Sequence, residues 1–120
     1  MGLCVLIVDD SRVARMSLRR QLLEIEPDAS IVEAGSYDEA LTQIETHTPA
    51  LALIDFNMPG HDGLELARVL KDSLPALRMA LVTANIQDAV SRRATDLGMA
   101  FIAKPASVAQ LQQFVTGAGQ

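Results

Sequence analysis

Five side chains in this sequence are of types that together handle phosphate: Asp9, Asp10, Asp55, Thr83 and Lys104. Each stands at or just past the end of a short apolar run. Leu3–Val8 precedes Asp9-Asp10, Leu51–Ile54 precedes Asp55, Arg78–Val82 precedes Thr83, and Ala100–Ala103 precedes Lys104-Pro105. Carboxylates brought to about 5 Å of one another repel by about 3 kcal/mol per pair at an effective dielectric of about 20. A fold keeps three of them together only where something offsets that cost, and a divalent cation and the Lys104 ammonium are the candidates. An all-oxygen ligand set selects Mg2+ or Mn2+, ions that keep several waters and are usually completed by a phosphate oxygen. Lys104 and Thr83 then suit the same phosphoryl group as charge and hydrogen-bond partners. One carboxylate must act as the nucleophile, and Asp55, flanked by the others, is the best placed. The plainer explanation, that a strand-terminal Asp caps the next helix, fits these acids poorly. Ser11 can cap the first helix unaided, and Asp55 lies too far ahead of the helix that opens near Asp62.

These positions have meaning only if the chain brings them to one edge. The apolar runs Leu3–Val8, Ser30–Val32, Leu51–Ile54, Arg78–Val82 and Ala100–Ala103 alternate with longer amphipathic stretches. Runs one, three and four are apolar on consecutive residues, the pattern of parallel strands covered on both faces. The first amphipathic stretch, Arg12 to Glu26, aligns Ala14, Leu18, Leu22 and Ile25 and stops at Pro27. The second opens with a capping-box pattern, Ser36 to Glu39, and turns Ala40, Leu41 and Ile44 inward. The third follows Asp62 and carries Leu66 and Leu70; the fourth follows Asn85, carries Val90, Ala94 and Leu97, and stops at Gly98. The fifth opens at Ser107 with Gln110 three residues on and carries Val108, Leu111 and Val115. The expected fold is (βα)5, doubly wound, with a five-stranded parallel sheet in order 2-1-3-4-5 and helices on both faces. Such sheets bind ligands outside the carboxyl ends of their strands, where the five polar residues stand.

Composition narrows the chemistry further. The chain has 120 residues, one domain's worth, with 10 Lys and Arg against 15 Asp and Glu and a formal charge of −5. That balance disfavours nucleic-acid phosphates as partners, and one Tyr, three Phe and no Trp supply no stacking platform. Cys4, the single cysteine, excludes a disulfide framework or a cysteine zinc site and reads as a small buried hydrophobe. No apolar run reaches membrane-spanning length. A reduced, cytoplasmic domain over residues 1–120 is expected, with 117–120 a frayed tail or linker stub.

In Val8-Asp9-Asp10-Ser11, Leu53-Ile54-Asp55-Phe56-Asn57-Met58-Pro59-Gly60, Asp62-Gly63, Val82-Thr83-Ala84 and Ala103-Lys104-Pro105, taken in order, the sequence resembles the receiver domain of two-component response regulators over its whole length. The resemblance implies that Asp55 accepts a phosphoryl group from a histidine kinase or histidine phosphotransfer protein. Asp10, Asp55 and the Asn57 backbone carbonyl would hold Mg2+, with Asp9 acting indirectly. Thr83 and Lys104 would bind phosphoryl oxygens, and the Lys104–Pro105 bond would be cis. Thr83 and Phe101 would form the switch, the hydroxyl moving toward phosphate and the aromatic ring filling the space it leaves. The face made by the fourth helix, fifth strand and fifth helix would carry the result to a downstream protein target. A receiver catalyses its own phosphorylation and dephosphorylation without being a conventional enzyme; Asn57 and Asn85 flank the expected water route, and neither amide is a general base.

Details of this chain shape further expectations. Sixteen residues follow Lys104, so output within this chain is expected through protein contact. The fifth helix carries no charge and Ala100 replaces the acid common before the aromatic switch residue, which disfavours a charge-paired dimer; a monomer or weak dimer is expected. That helix could offer Gln110, Gln112 and Gln113 to a partner, and Ala106 leaves little apolar bulk at its start. His61 is read as solvent-facing, His47 as suited to a helix C-terminus, and Arg92 and Arg93 as a solvated face. Two other functions compete: a small Mg2+-dependent aspartyl-nucleophile phosphatase, which would usually carry an acid where Asn57 stands, and a receiver-shaped scaffold that is never phosphorylated.

Overall fold

The computed structural model describes residues 2–117. The elements follow one another as β1 (Cys4–Val8), α1 (Arg12–Ile25), β2 (Ser30–Ala34), α2 (Tyr37–Gln43), β3 (Leu51–Ile54), α3 (Gly63–Ser73), β4 (Arg78–Thr83), α4 (Asp88–Asp96), β5 (Ala100–Ala103) and α5 (Val108–Thr116). All strand pairings are parallel and the strand order is β2-β1-β3-β4-β5. The (βα)5 expectation holds. The sheet reverses direction of growth between β1 and β3, so the crevice at their carboxyl ends is the switch point of the fold.

Two apolar layers hold the sheet. Val5, Ile7, Leu51, Leu53, Ala80, Val82 and Ile102 face Leu18 and Leu22 of α1 and Leu111 and Phe114 of α5. The alternate residues Leu6, Val8, Ala52, Ile54, Met79 and Leu81 face α2, α3 and α4 through Ala40, Leu66, Leu70, Val90 and Ala94. Val5 to Val8 of β1 and all four residues of β3 are buried, with residues on both faces of the sheet covered, which is why their runs are continuously apolar.

Most helix boundaries obey the capping logic. Ser11 and Ser107 accept the N–H groups of Ala14 and Gln110, and Asp62 with Glu65 completes a reciprocal capping box. At α2 the box is only half made: Ser36 accepts the Glu39 N–H, while the Glu39 carboxylate accepts from Gly35 instead. α4 begins later than Asn85 suggests. Asn85 spends its side chain on a local turn, its Oδ1 accepting the Gln87 N–H at 3.2 Å, and the helix starts after Gln87 without a side-chain cap. Gly98 adopts φ +75 just past α4, as a helix stop requires.

Two other expectations need correction. In α5, Phe114 is buried beside Leu111 and Val115 is only half-buried, because the core-facing stripe runs through 111 and 114. Cys4 is half-buried, packed at the margin of the core, and burial raises its thiol pKa, so it is held in the unreactive form. Gly117 is a left-handed cap whose N–H meets the Gln113 and Phe114 carbonyls; the rest of the expected tail, 118–120, lies outside the described residues. Among the described residues no helix is long and apolar enough to cross a membrane.

Candidate functional site

β1 delivers Asp9 to the sheet edge and the turn into α1 locks it there. Its N–H donates to the Ala34 carbonyl of β2 at 3.1 Å. Its Oδ1 accepts the Ser11 N–H at 2.9 Å, and its Oδ2 accepts from Lys104 Nζ at 2.7 Å. The residue is 1% exposed. Ser11 caps the helix unaided, as expected, and Asp9 has a separate local role, tying down the turn before it. Asp10, by contrast, stands exposed at the rim.

Asp55 follows β3 directly, its N–H donating to the Val8 carbonyl at 2.9 Å and its side chain almost fully buried. It caps no helix; the Gly63 N–H at the start of α3 turns back to the Phe56 carbonyl instead. Gly63 must be glycine for this packing, since a Cβ there would lie 2.1 Å from the Asp55 carbonyl oxygen. The loop 56–62 can thus fold tightly under the acid. One carboxylate oxygen from each of Asp9, Asp10 and Asp55 lies within 4.8 Å of the others.

Lys104 reaches into this cluster from the end of β5, 2.7 Å from Asp9 Oδ2 and 3.7 Å from Asp55 Oδ2. Burial raises the Asp55 pKa above the ordinary carboxylate range and the Asp9 charge raises it further; Lys104 pulls the other way without cancelling them. Burial also works to lower the Lys104 pKa, yet Asp9 and Asp55 together hold the ammonium above its usual value. The site thus carries an excess of negative charge that one lysine does not neutralise.

Thr83 ends β4 fully buried, with Oγ1 accepting the Asn85 N–H at 3.1 Å and its carbonyl accepting the Lys104 N–H at 2.9 Å. The Lys104–Pro105 peptide is cis. In the β4–β5 register Leu81 pairs with Phe101 and Thr83 with Ala103. Thr83 and Phe101 therefore share one face of the sheet, and Phe101 packs half-buried against the layer that includes α4. Asn57 is exposed in the loop after Asp55.

Sequence reasoning underrated two groups around this site. His61 is exposed, as expected, but it is also held: its ring stacks on Tyr37 at 4.2 Å and its Nδ1 lies 3.3 Å from Glu65. Arg15 donates from Nη1 to the Asp9 carbonyl at 2.6 Å and from Nε to Glu33 at 3.0 Å. The signal for Arg15 was present, an arginine one turn into the helix after the acids, but its Glu33 partner is identifiable only once β2 is known to lie beside β1. His47 meets expectation, its Nδ1 lying 3.0 Å from the Gln43 carbonyl at the end of α2, and Arg92 and Arg93 are exposed.

The chain has relatives among known proteins and solved structures. It is 36% identical over 112 residues to the transcriptional activator protein ExaE of Pseudomonas putida, covering 92% of this chain and 52% of that protein. It thus spans about half the length of that relative, as it does for the response regulator GacA of Pseudomonas viridiflava, 32% identical with the same coverage. Among solved structures, a CheY-like response regulator receiver domain protein from Methanospirillum hungatei superposes with a TM-score of 0.85 at 27% identity, over 98% of this chain and 93% of that one. A response regulator from Burkholderia pseudomallei, solved with a phosphorylated aspartic acid, calcium ion and citrate, superposes with a TM-score of 0.84 at 26% identity, over 93% of this chain and 65% of that one. The family profile described as response regulator receiver domain matches residues 5–116, which is nearly every residue that builds the sheet, the helices and the acidic edge. The chain belongs to the response regulator receiver domain family.

Proposed function

We propose that this chain is a phosphoacceptor receiver, in which Asp55 takes a phosphoryl group from the phosphohistidine of a histidine kinase or histidine phosphotransfer protein. The observation that carries the reading is the cluster itself: three carboxylates with oxygens within 4.8 Å, and Lys104 3.7 Å from Asp55. The phosphorylated aspartic acid and calcium ion of the Burkholderia protein support it by analogy.

The donor set suits a hard divalent cation, because hard carboxylate oxygens converge, one at the solvent edge, with charge left to neutralise. Asp10, Asp55 and the Asn57 backbone carbonyl would hold Mg2+ or Mn2+, with Asp9 acting indirectly; the ion supplies charge neutralisation at the phosphoryl oxygens when bound. Asp55 is poised as the nucleophile by burial and by its raised pKa, which mark a poorly hydrated, more basic carboxylate. In the transfer an Asp55 Oδ–P bond forms as the donor's N–P bond breaks, and the departing imidazole nitrogen keeps the electron pair and gains a proton. Lys104 Nζ and Thr83 Oγ1 serve the transferred oxygens.

Output follows from the same residues. Thr83 gives up its bond from the Asn85 N–H to turn toward phosphate, and Phe101, on the same sheet face, moves into the space released. The α4-β5-α5 face changes with it and a downstream protein target reads the change. Gln112 and Gln113 of α5 are exposed and uncharged, in keeping with a monomer or weak dimer and a polar contact rather than ion pairing. Hydrolysis of the aspartyl phosphate rests on water positioned past Asn57 and Asn85, since neither side chain is a base.

The test is incubation with acetyl phosphate and Mg2+ followed by intact mass. The expected result is one added phosphoryl group, absent in Asp55→Asn and absent without the cation. A phosphorylated Asp55→Asn variant, or no adduct on the wild-type chain, would overturn the reading.

A further inference from the structure

The network around Arg15 reaches the acidic cluster through the backbone. Arg15 Nη1 donates to the Asp9 carbonyl at 2.6 Å, and Arg15 Nε is fixed by Glu33 Oε1 at 3.0 Å. Glu33 is itself shared with Arg19 at 3.3 Å. The guanidinium lies against Gly35, where a Cβ would sit 3.3 Å from Nη1. Asp9 is consequently held at four atoms: N–H by Ala34, carbonyl by Arg15, Oδ1 by Ser11 and Oδ2 by Lys104. The Asp9 carbonyl is part of the peptide unit that carries Asp10, so the bond from Arg15 sets the plane from which the exposed Asp10 carboxylate projects.

We infer that Arg15 is a positioning residue for cation binding: it orients the Asp9–Asp10 peptide, and Glu33 orients Arg15. The inference rests on the phosphoacceptor reading of the site. Its sign is opposite to simple electrostatics. A guanidinium near a cation site repels the cation, so charge alone says that its removal tightens binding. Positioning says that removal loosens binding, as loss of groups that orient metal ligands typically does by about tenfold or more.

The experiment measures Mg2+ affinity directly on the intact chain by titration calorimetry, beside the rate of acetyl phosphate labelling at saturating Mg2+. The expected result for Arg15→Ala is an affinity about tenfold weaker with a much smaller loss of the saturated rate. Arg15→Lys, which keeps a donor for the Asp9 carbonyl, recovers most of the affinity, and so guards against a variant that merely fails to fold. Arg19→Ala removes the same charge from the same helix without touching Asp9, and leaves affinity unchanged or slightly tighter. Tighter or unaltered Mg2+ binding in Arg15→Ala, or equal losses in Arg15→Ala and Arg19→Ala, overturns the positioning role while leaving the phosphoacceptor reading intact. Failure of the wild-type chain to bind Mg2+ and to be labelled overturns the underlying reading instead.

Discussion

The two ends of the sheet treat charge in opposite ways. At the end where the strands begin, two cations serve helix termini. Arg78, the first residue of β4, donates from Nη2 to the Phe114 carbonyl in the last turn of α5 and lies 5.1 Å from the Phe114 ring. Lys71 donates from Nζ to the Leu97 carbonyl at the end of α4 at 3.2 Å. Positive charge at a helix C-terminus complements both the unmatched carbonyls and the dipole. At the other end three carboxylates meet one lysine, and Asp55 is held above its ordinary pKa by burial and by Asp9. At one edge two cations are answered by helix-end carbonyls. The other keeps an unanswered charge, which the proposed cation would complete. The contrast separates stability from function along a single axis, and each side of it can be broken.

The largest effect is expected at the quiet end. Phe114 is a core residue of α5 and also the seat of Arg78. Phe114→Ala removes a buried ring and should cost about 3–5 kcal/mol in denaturant unfolding. Acetyl phosphate labelling of the folded fraction should be nearly unaffected. A comparable loss of labelling in folded protein would mean that the two ends are not separable.

The second effect tests the crowded end. Lys104→Met leaves Asp9 and Asp55 facing each other without their shared cation. Breaking a buried pair costs about 3–5 kcal/mol, and partial exposure of the Lys104 side chain discounts this to about 2 kcal/mol for the cation-free protein. Mg2+ should restore much of that loss, since it answers the same charges. Phe114→Ala should show no such rescue beyond the wild-type increment. A cation-independent loss in Lys104→Met would count against an electrostatic account of the cluster.

The same contrast explains what was legible in the sequence. Acids immediately after continuous apolar runs are conspicuous, because nothing in a buried strand prepares for a charge; Asp9, Asp55, Thr83 and Lys104 were all placed on that ground and the fold brings them to one edge. The caps at Ser11, Asp62 and Ser107 were legible because each bond spans two or three residues. The answered charges were not. Arg78 resembles any surface arginine until α5 is known to end beside β4, and its partner carbonyl lies 36 residues away. Phe114 was passed over because Val115 fits the helical period nearly as well, and only the position of the sheet decides between them. Arg15 hid for the same reason, its partners being a main-chain carbonyl, which carries no sequence signature, and a glutamate on another strand. Asn85 misled in the opposite direction, as a good capping residue that closes a turn of its own.

The smallest expected effect is the most diagnostic of the contrast. The folded pKa of Asp55 is raised by burial and by Asp9. Between the ordinary aspartate value and that higher one, the folded chain binds more protons at this position than the unfolded chain does. Stability of the cation-free protein therefore falls as pH rises through that window, and the penalty is complete above it. Asp55→Asn removes the titrating group. At neutral pH, without Mg2+, the variant should unfold at higher denaturant than the wild type, by less than the roughly 3 kcal/mol of one close carboxylate pair because Lys104 also loses a partner. The advantage should shrink as pH falls and be gone below the ordinary aspartate range, near pH 4 and under. Saturating Mg2+ should reverse the order, stabilising the wild type more than the variant. An Asp55→Asn variant that is less stable than wild type at every pH without the cation would show that Lys104 already answers the cluster, and the two ends of the sheet would then differ only in the sign of their charges.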